Sequence, residues 1–86
     1  MKVLFFASAF CDPCIHARAV LDAVGTAVPQ LTIAELDIVV DVDVAEKAGI
    51  TTTPTIVVLN ASDEEVFRST GVPTISQLLS ALTLAL

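Results

Sequence analysis

The chain has 86 residues, 55% of them hydrophobic and 16% charged, with four Lys+Arg against ten Asp+Glu for a net charge of −6. That length holds one domain, residues 1–86, large enough to bury roughly 60% of its unfolded surface and to fold without disulfide staples. Such apolar content excludes a disordered tail; the acidic balance excludes nucleic acid and an anionic membrane surface as partners; two cysteines and one histidine exclude a secreted disulfide scaffold and a His-rich metal site.

Met1 to Ala9 carries one cation, an apolar run and an Ala-x-Ala end, the outline of a secretory signal. Its apolar run, Val3 to Ala7, is five residues long, against the roughly 7–15 that such signals use. Lys2–Ser8 is predicted instead as a strand buried on both faces. Cys11–Val24 has helical periodicity, with Cys14, Ala17, Leu21 and Val24 on one face. Pro13 suits the first turn and Gly25 the left-handed stop. Leu31–Val39 reads as a second strand, with Ala34, Leu36 and Ile38 on one side and Ile33, Glu35 and Asp37 on the other. Asp43–Ala48 is predicted as a short helix, opened by the Asp43/Glu46 pair and closed by Gly49. Thr55–Leu59 is a β-branched third strand, Asn60–Asp63 a turn, and Glu65–Thr70 a fourth strand. Thr74 and Gln77 form a capping box for a last helix with Ile75, Leu78, Leu79, Leu82 and Leu86 as its buried stripe. The uncharged end, Ser69–Leu86, is interrupted by polar residues and does not read as a membrane span.

The order is β-α-β-α-β-β-α, an α/β class. The first βαβ unit makes its strands parallel, and the short turn makes the last two strands antiparallel. A four-stranded mixed sheet with helices on both faces is expected. The acids Asp37, Asp41, Asp43, Glu46 and Asp63–Glu65 read as solubilising faces.

The chemistry sits at Cys11-Asp12-Pro13-Cys14, where two cysteines open a helix that follows a strand. Residues three apart on a helix have Cβ atoms roughly 5–6 Å apart, and a disulfide needs about 3.5–4.5 Å. A small distortion of the turn lets the pair cycle between dithiol and disulfide. Unpaired amides and the helix dipole favour a thiolate at Cys11, the residue nearer solvent. Cys11 is thus the expected attacker, and Cys14, on the core face, the residue that resolves the mixed disulfide. The Asp12 carboxylate opposes ionisation by about as much as the helix terminus favours it, so only a modest lowering of the Cys11 pKa is expected. A zinc site is the competing use of this spacing, but Cys11, Cys14 and His16 supply at most three ligands and His16 faces away. Two small core residues are the remaining alternative. His16 reads as a solvated residue within pairing distance of Asp12.

These residues resemble the thioredoxin-like superfamily, and the resemblance spans the whole chain. It rests on Cys11-Asp12-Pro13-Cys14 after an apolar strand, Thr53-Pro54-Thr55 opening a later one, Ala48-Gly49-Ile50 before it and Gly71 after the last strand. The short thioredoxins and glutaredoxin-like proteins that lack an extra N-terminal strand and helix are most similar in layout. The resemblance implies a thioredoxin fold, a cis Pro54 facing the dithiol, and a substrate surface made by Phe10, Asp12, Pro13, Thr53, Pro54 and Gly71. A cis bond would turn the Thr53 backbone outward to pair with an extended substrate strand. Ordinary alternatives exist: a proline at the first residue of a strand, and Gly71 as a plain strand stop.

The departures concern proton handling. Phe10 stands where thioredoxin has tryptophan; a hydrophobic staple between Phe10 and Ile15 explains it equally well. Phe5, six residues before Cys11, stands where thioredoxin has a buried aspartate that helps move the proton of the buried cysteine. Glu35, nineteen residues before Pro54, is a candidate substitute: partly buried, it would have a raised pKa and serve as general base for Cys14. An exposed edge-strand glutamate is the alternative.

The expectation is a cytoplasmic thiol–disulfide oxidoreductase that reduces protein disulfides, needs no metal or cofactor of its own, and is recycled by a flavoprotein thioredoxin reductase. A glutaredoxin-type enzyme recycled by glutathione is the first alternative, weakened by Val72 after Gly71 and by Lys47 and Arg68 as the only cations downstream of the first helix. A non-catalytic module binding partners through the Pro54 edge is the second.

Overall fold

The computed structural model describes residues 1–86. Its elements are β1 (Lys2–Ala7), α1 (Asp12–Ala27), β2 (Thr32–Asp37), α2 (Val42–Lys47), β3 (Thr55–Leu59), β4 (Glu65–Thr70) and α3 (Ile75–Leu84). They form one sheet in the order β2-β1-β3-β4, with β1 parallel to β2 and β3 antiparallel to both of its neighbours.

The apolar run of β1 is central because it serves two cores. Val3, Phe5 and Ala7 join Cys14, Ala17, Leu21 and Val24 of α1 and Leu78, Ala81 and Leu82 of α3 in one cluster. Phe6 joins Ala45 of α2 and Val57 of β3 in a smaller one. The alternation of the strand sends successive side chains to opposite faces, so α1 and α3 cover one face and α2 the other. Burying a Leu or Val side chain stabilises by about 1.5–3 kcal/mol, and the four buried residues of α1 are those that its periodicity predicts. No helix is long and apolar enough to cross a membrane.

Four details differ from the sequence-based expectation. Helix α1 runs through Gly25 to Ala27 and is capped at Val28, whose N–H donates to the Val24 carbonyl. A Cβ on Gly25 would lie 3.3 Å from Ile33 Cδ1, so this glycine permits close helix–strand packing rather than ending the helix. Strand β2 stops at Asp37 because the Asp37 carboxylate accepts hydrogen bonds from the N–H groups of Val39 (2.8 Å) and Val40 (3.2 Å), which turns the chain. The N-cap of α2 is Asp41, which makes no side-chain cap; its Oδ2 accepts instead from the Asp37 N–H at 3.0 Å. Asp37 and Asp41 are therefore turn-formers, not merely solvated acids, and the Asp43/Glu46 capping pair is not made. On α3 the Thr74/Gln77 capping box is present, but Ile75, Leu79 and Leu86 are exposed while Ala81 and Ala85 are buried.

Candidate active site

Register brings the site together. β1 and β3 run antiparallel with Phe6 opposite Thr55. Two places beyond that pair, Ser8 leaves β1 just as Thr53 approaches β3. Their hydroxyls meet at 2.8 Å. Three residues after Ser8, Cys11 caps α1 with extended backbone (φ −103°, ψ 99°), and its Sγ accepts from the Cys14 N–H at 3.2 Å. The chain reaches that cap through Phe10, at φ +58°.

Cys11 and Cys14 are joined by a disulfide, with their Cα atoms 5.2 Å apart. The two sulfurs differ sharply in exposure. Cys11 is half-buried at the corner, and Cys14 is 2% exposed within the apolar cluster under α1. The Thr53–Pro54 peptide is cis. Pro54 is fully buried, and the Thr53 hydroxyl donates to Cys11 Sγ across 3.7 Å. The N–H and C=O of Thr53 take part in no hydrogen bond within the chain. Gly71 has φ +98°, a conformation that favours glycine, and its N–H donates to the Pro54 carbonyl at 2.9 Å, extending the β3–β4 ladder by one rung. No atom lies within 4 Å of where its Cβ would be.

Asp12 and Pro13 form the exposed first turn of α1. Phe10 is fully exposed and Ile15 largely so. A hydrophobic staple would bury Phe10, so the staple explanation fails and Phe10 stands as a bare aromatic beside Cys11. His16 is exposed on α1 with no ion pair to Asp12.

Glu35 is the main correction. It sits on β2 opposite Phe5 and accepts two hydrogen bonds from the Arg18 guanidinium, from Nε at 3.0 Å and from Nη2 at 2.8 Å. This pairing holds its carboxyl below the usual range, outweighing an opposing contribution from burial. The raised pKa required of a general base is absent, and the side chain is about half exposed. Glu35 is the edge-strand carboxylate of the ordinary alternative, now with a partner.

Sequence reasoning passed over that partner. Arg18 lies one turn beyond Cys14, and its guanidinium stands 5.6 Å over the ring centroid of Phe5. The i, i+4 spacing from Cys14, together with the parallel pairing of β1 and β2, contains the signal. It also passed over Ser8 and the Thr53 side chain, because the loop positions on either side of a strand pair become neighbours only once the register is known.

A cysteine pair closed into a disulfide at a strand-to-helix corner, against a cis-proline loop of the same sheet, defines a dithiol–disulfide redox protein on a four-stranded α/β fold. The thioredoxin family model matches residues 1–83, and the chain belongs to that family. The activity that follows is thiol–disulfide oxidoreduction. Among solved structures, the chain is similar to thioredoxin 1 from the thermophilic eubacterium Thermosipho africanus TCF52B, with 18% identity, TM-score 0.83, and 96% of this chain and 91% of that one covered. Fasciola hepatica thioredoxin is similar at 25% identity and TM-score 0.85, covering 99% and 80%. A structure described as a malarial protein has 19% identity and TM-score 0.87, covering 99% and 96%. No curated protein matches the chain.

Proposed function

We propose that the protein reduces disulfide bonds in other proteins in the cytoplasm and is itself recycled by a flavoprotein thioredoxin reductase. The observation that carries this reading is the asymmetry of the sulfur pair: Cys11 is half-buried and receives two donors, while Cys14 is sealed beneath it.

The Cys11 thiolate attacks one sulfur of the substrate disulfide. A Cys11–substrate bond forms, the substrate S–S bond breaks, and the other substrate sulfur leaves as a thiolate that takes up a proton. Cys14, once deprotonated, attacks Cys11 Sγ, closes the Cys11–Cys14 bond and releases the second substrate thiol. Two electrons and two protons pass from dithiol to substrate. The free N–H and C=O of Thr53 suit an extended substrate segment pairing as an added strand, with Phe10, Pro13 and Gly71 around it. Arg68 binds Glu65 through both carboxylate oxygens and the Ala48 carbonyl. Of the two cations beyond the first helix, Lys47 and Arg68, the latter is thus engaged within the chain, which supports the reductase-coupled reading.

Insulin reduction separates the possibilities. With NADPH and thioredoxin reductase, turnover is expected to exceed that with glutathione and glutathione reductase at least about tenfold, a difference of about 1.4 kcal/mol in barrier. Faster turnover with glutathione would reverse the assignment, and no turnover with dithiothreitol would remove catalysis altogether.

A further inference from the structure

We propose that Ser8 is a positioning residue for the nucleophile: its hydroxyl aims the Thr53 hydroxyl at Cys11 Sγ, so that a two-hydroxyl chain stabilises the Cys11 thiolate. The inference rests on Cys11 being the attacking sulfur.

Proton counting fixes the direction of the chain. Ser8 Oγ and Thr53 Oγ1 are 2.8 Å apart, and either could donate. Cys11 Sγ, as disulfide or as thiolate, carries no proton and can only accept. Thr53 has one hydroxyl proton. If it goes to Cys11, as the 3.7 Å contact requires, Thr53 Oγ1 must accept from Ser8. Ser8 has no other side-chain partner, so nothing competes for its proton. Bonds in such a chain polarise one another, and the acceptor gains most when it is charged. The donors already lie against the sulfur in the disulfide state, so little rearrangement accompanies reduction.

The corner needs such help. Apart from the cysteines, its titratable side chains, Asp12 and His16, are both exposed on α1. The loop before β3, Thr51-Thr52-Thr53-Pro54, and the loop before α3, Gly71-Val72-Pro73-Thr74, bring no charge. Asp12 opposes a thiolate next to it and takes part in no ion pair. Neutral donors are what the structure offers: the Cys14 N–H at 3.2 Å and the Thr53 hydroxyl.

Iodoacetamide alkylation of the reduced protein, followed against pH and mapped by peptide mass spectrometry, tests this. Thr53→Val is expected to raise the Cys11 midpoint, lowering the thiolate fraction below that midpoint about three- to tenfold. Ser8→Ala is expected to lower it about two- to threefold. In the Thr53→Val background Ser8→Ala should add nothing, because it acts through that hydroxyl. Thr53→Ser, which keeps the hydroxyl, should restore the wild-type profile. Losing a donor destabilises the ionised form of reduced Cys11, so at a pH above both midpoints the equilibrium with glutathione should move about threefold toward the disulfide in Thr53→Val. An unchanged midpoint in Thr53→Val, or an additive effect of Ser8→Ala on that background, would overturn the proposal. Alkylation of Cys14 before Cys11 in the wild type would instead overturn the assignment of the nucleophile beneath it.

Discussion

Cys11 and Cys14 stand three residues apart on one helical turn, yet their surroundings share almost nothing. Cys11 is half-buried among donors, with the Cys14 N–H and the Thr53 hydroxyl aimed at its sulfur. Cys14 lies in a cluster made only of apolar residues, Phe5 among them. One neighbourhood favours a charged sulfur and the other penalises it. In the proposed mechanism the first attack therefore draws on a thiolate that the fold stabilises. The second must begin with a thiol whose proton has no buried carboxylate to receive it, since Phe5 occupies the place where the resemblance puts one and Glu35 is tied to Arg18. On that proposal the two half-reactions are set by separate parts of the structure, and the resolving step is the one left unassisted.

The largest effects come from removing either sulfur. Cys11→Ser should abolish insulin reduction, a loss of about 10³-fold or more, with no covalent adduct. Cys14→Ser should attack once and then stop, accumulating a mixed disulfide visible on a non-reducing gel. Equal adduct formation by both variants would erase the distinction between the sulfurs. A sharper probe is Phe5→Asp. Phe5 is 1% exposed, so the variant should lose stability by about 3–5 kcal/mol, out of the 5–15 kcal/mol typical of a domain. If the missing acid is what limits the second step, the variant should nevertheless resolve the mixed disulfide faster, by about tenfold or more at neutral pH. Slower or unchanged resolution in folded protein would locate the barrier elsewhere.

A smaller effect concerns the wild-type thiolate. The alkylation midpoint of Cys11 should fall below the value of about 8.5 for free cysteine, by no more than about one unit, because Asp12 works against the amide and hydroxyl donors. A midpoint above that of free cysteine would mean that the carboxylate dominates.

The architecture was legible in the sequence wherever one pattern had one meaning. Thr55–Leu59 and Glu65–Thr70 begin and end where β-branched alternation and turn chemistry place them, and the α1 face of Cys14, Ala17, Leu21 and Val24 follows from spacing alone. Misreadings arose where one residue serves two uses. Gly25 resembles a helix stop and is instead a packing gap against Ile33. On α3 the leucines suggest a stripe, but the buried face is Leu78, Ala81, Leu82 and Ala85, rotated by roughly 70° when residues advance about 100° each; small alanines let the helix approach its neighbours, and hydropathy does not rank them above leucine. At the site, the cysteines were readable because their chemistry is carried by local spacing. Ser8, Arg18 and the Thr53 hydroxyl were not, because each acquires its role from a residue 17 to 45 positions away.

The smallest effect is predicted for Glu35, where the comparison between the sulfurs makes a negative claim. Glu35→Gln should reduce disulfides at the wild-type rate across pH 6–9, since a carboxylate held by Arg18 below its ordinary range is already ionised throughout and serves as no proton reservoir. A slower variant, with its deficit growing on one side of a pH midpoint, would return Glu35 to the second step. The ion pair should instead register in stability, and the sign is fixed by the direction of the shift. With a folded pKa below the unfolded value of about 4.3, the contribution is fully present above that value and is lost as pH falls through the folded pKa. Both partners are substantially exposed, so screening keeps the effect small, within about 3 °C in thermal midpoint at neutral pH. Wild type and Glu35→Gln should converge as pH falls below about 4.3, and raised salt should narrow the gap at neutral pH.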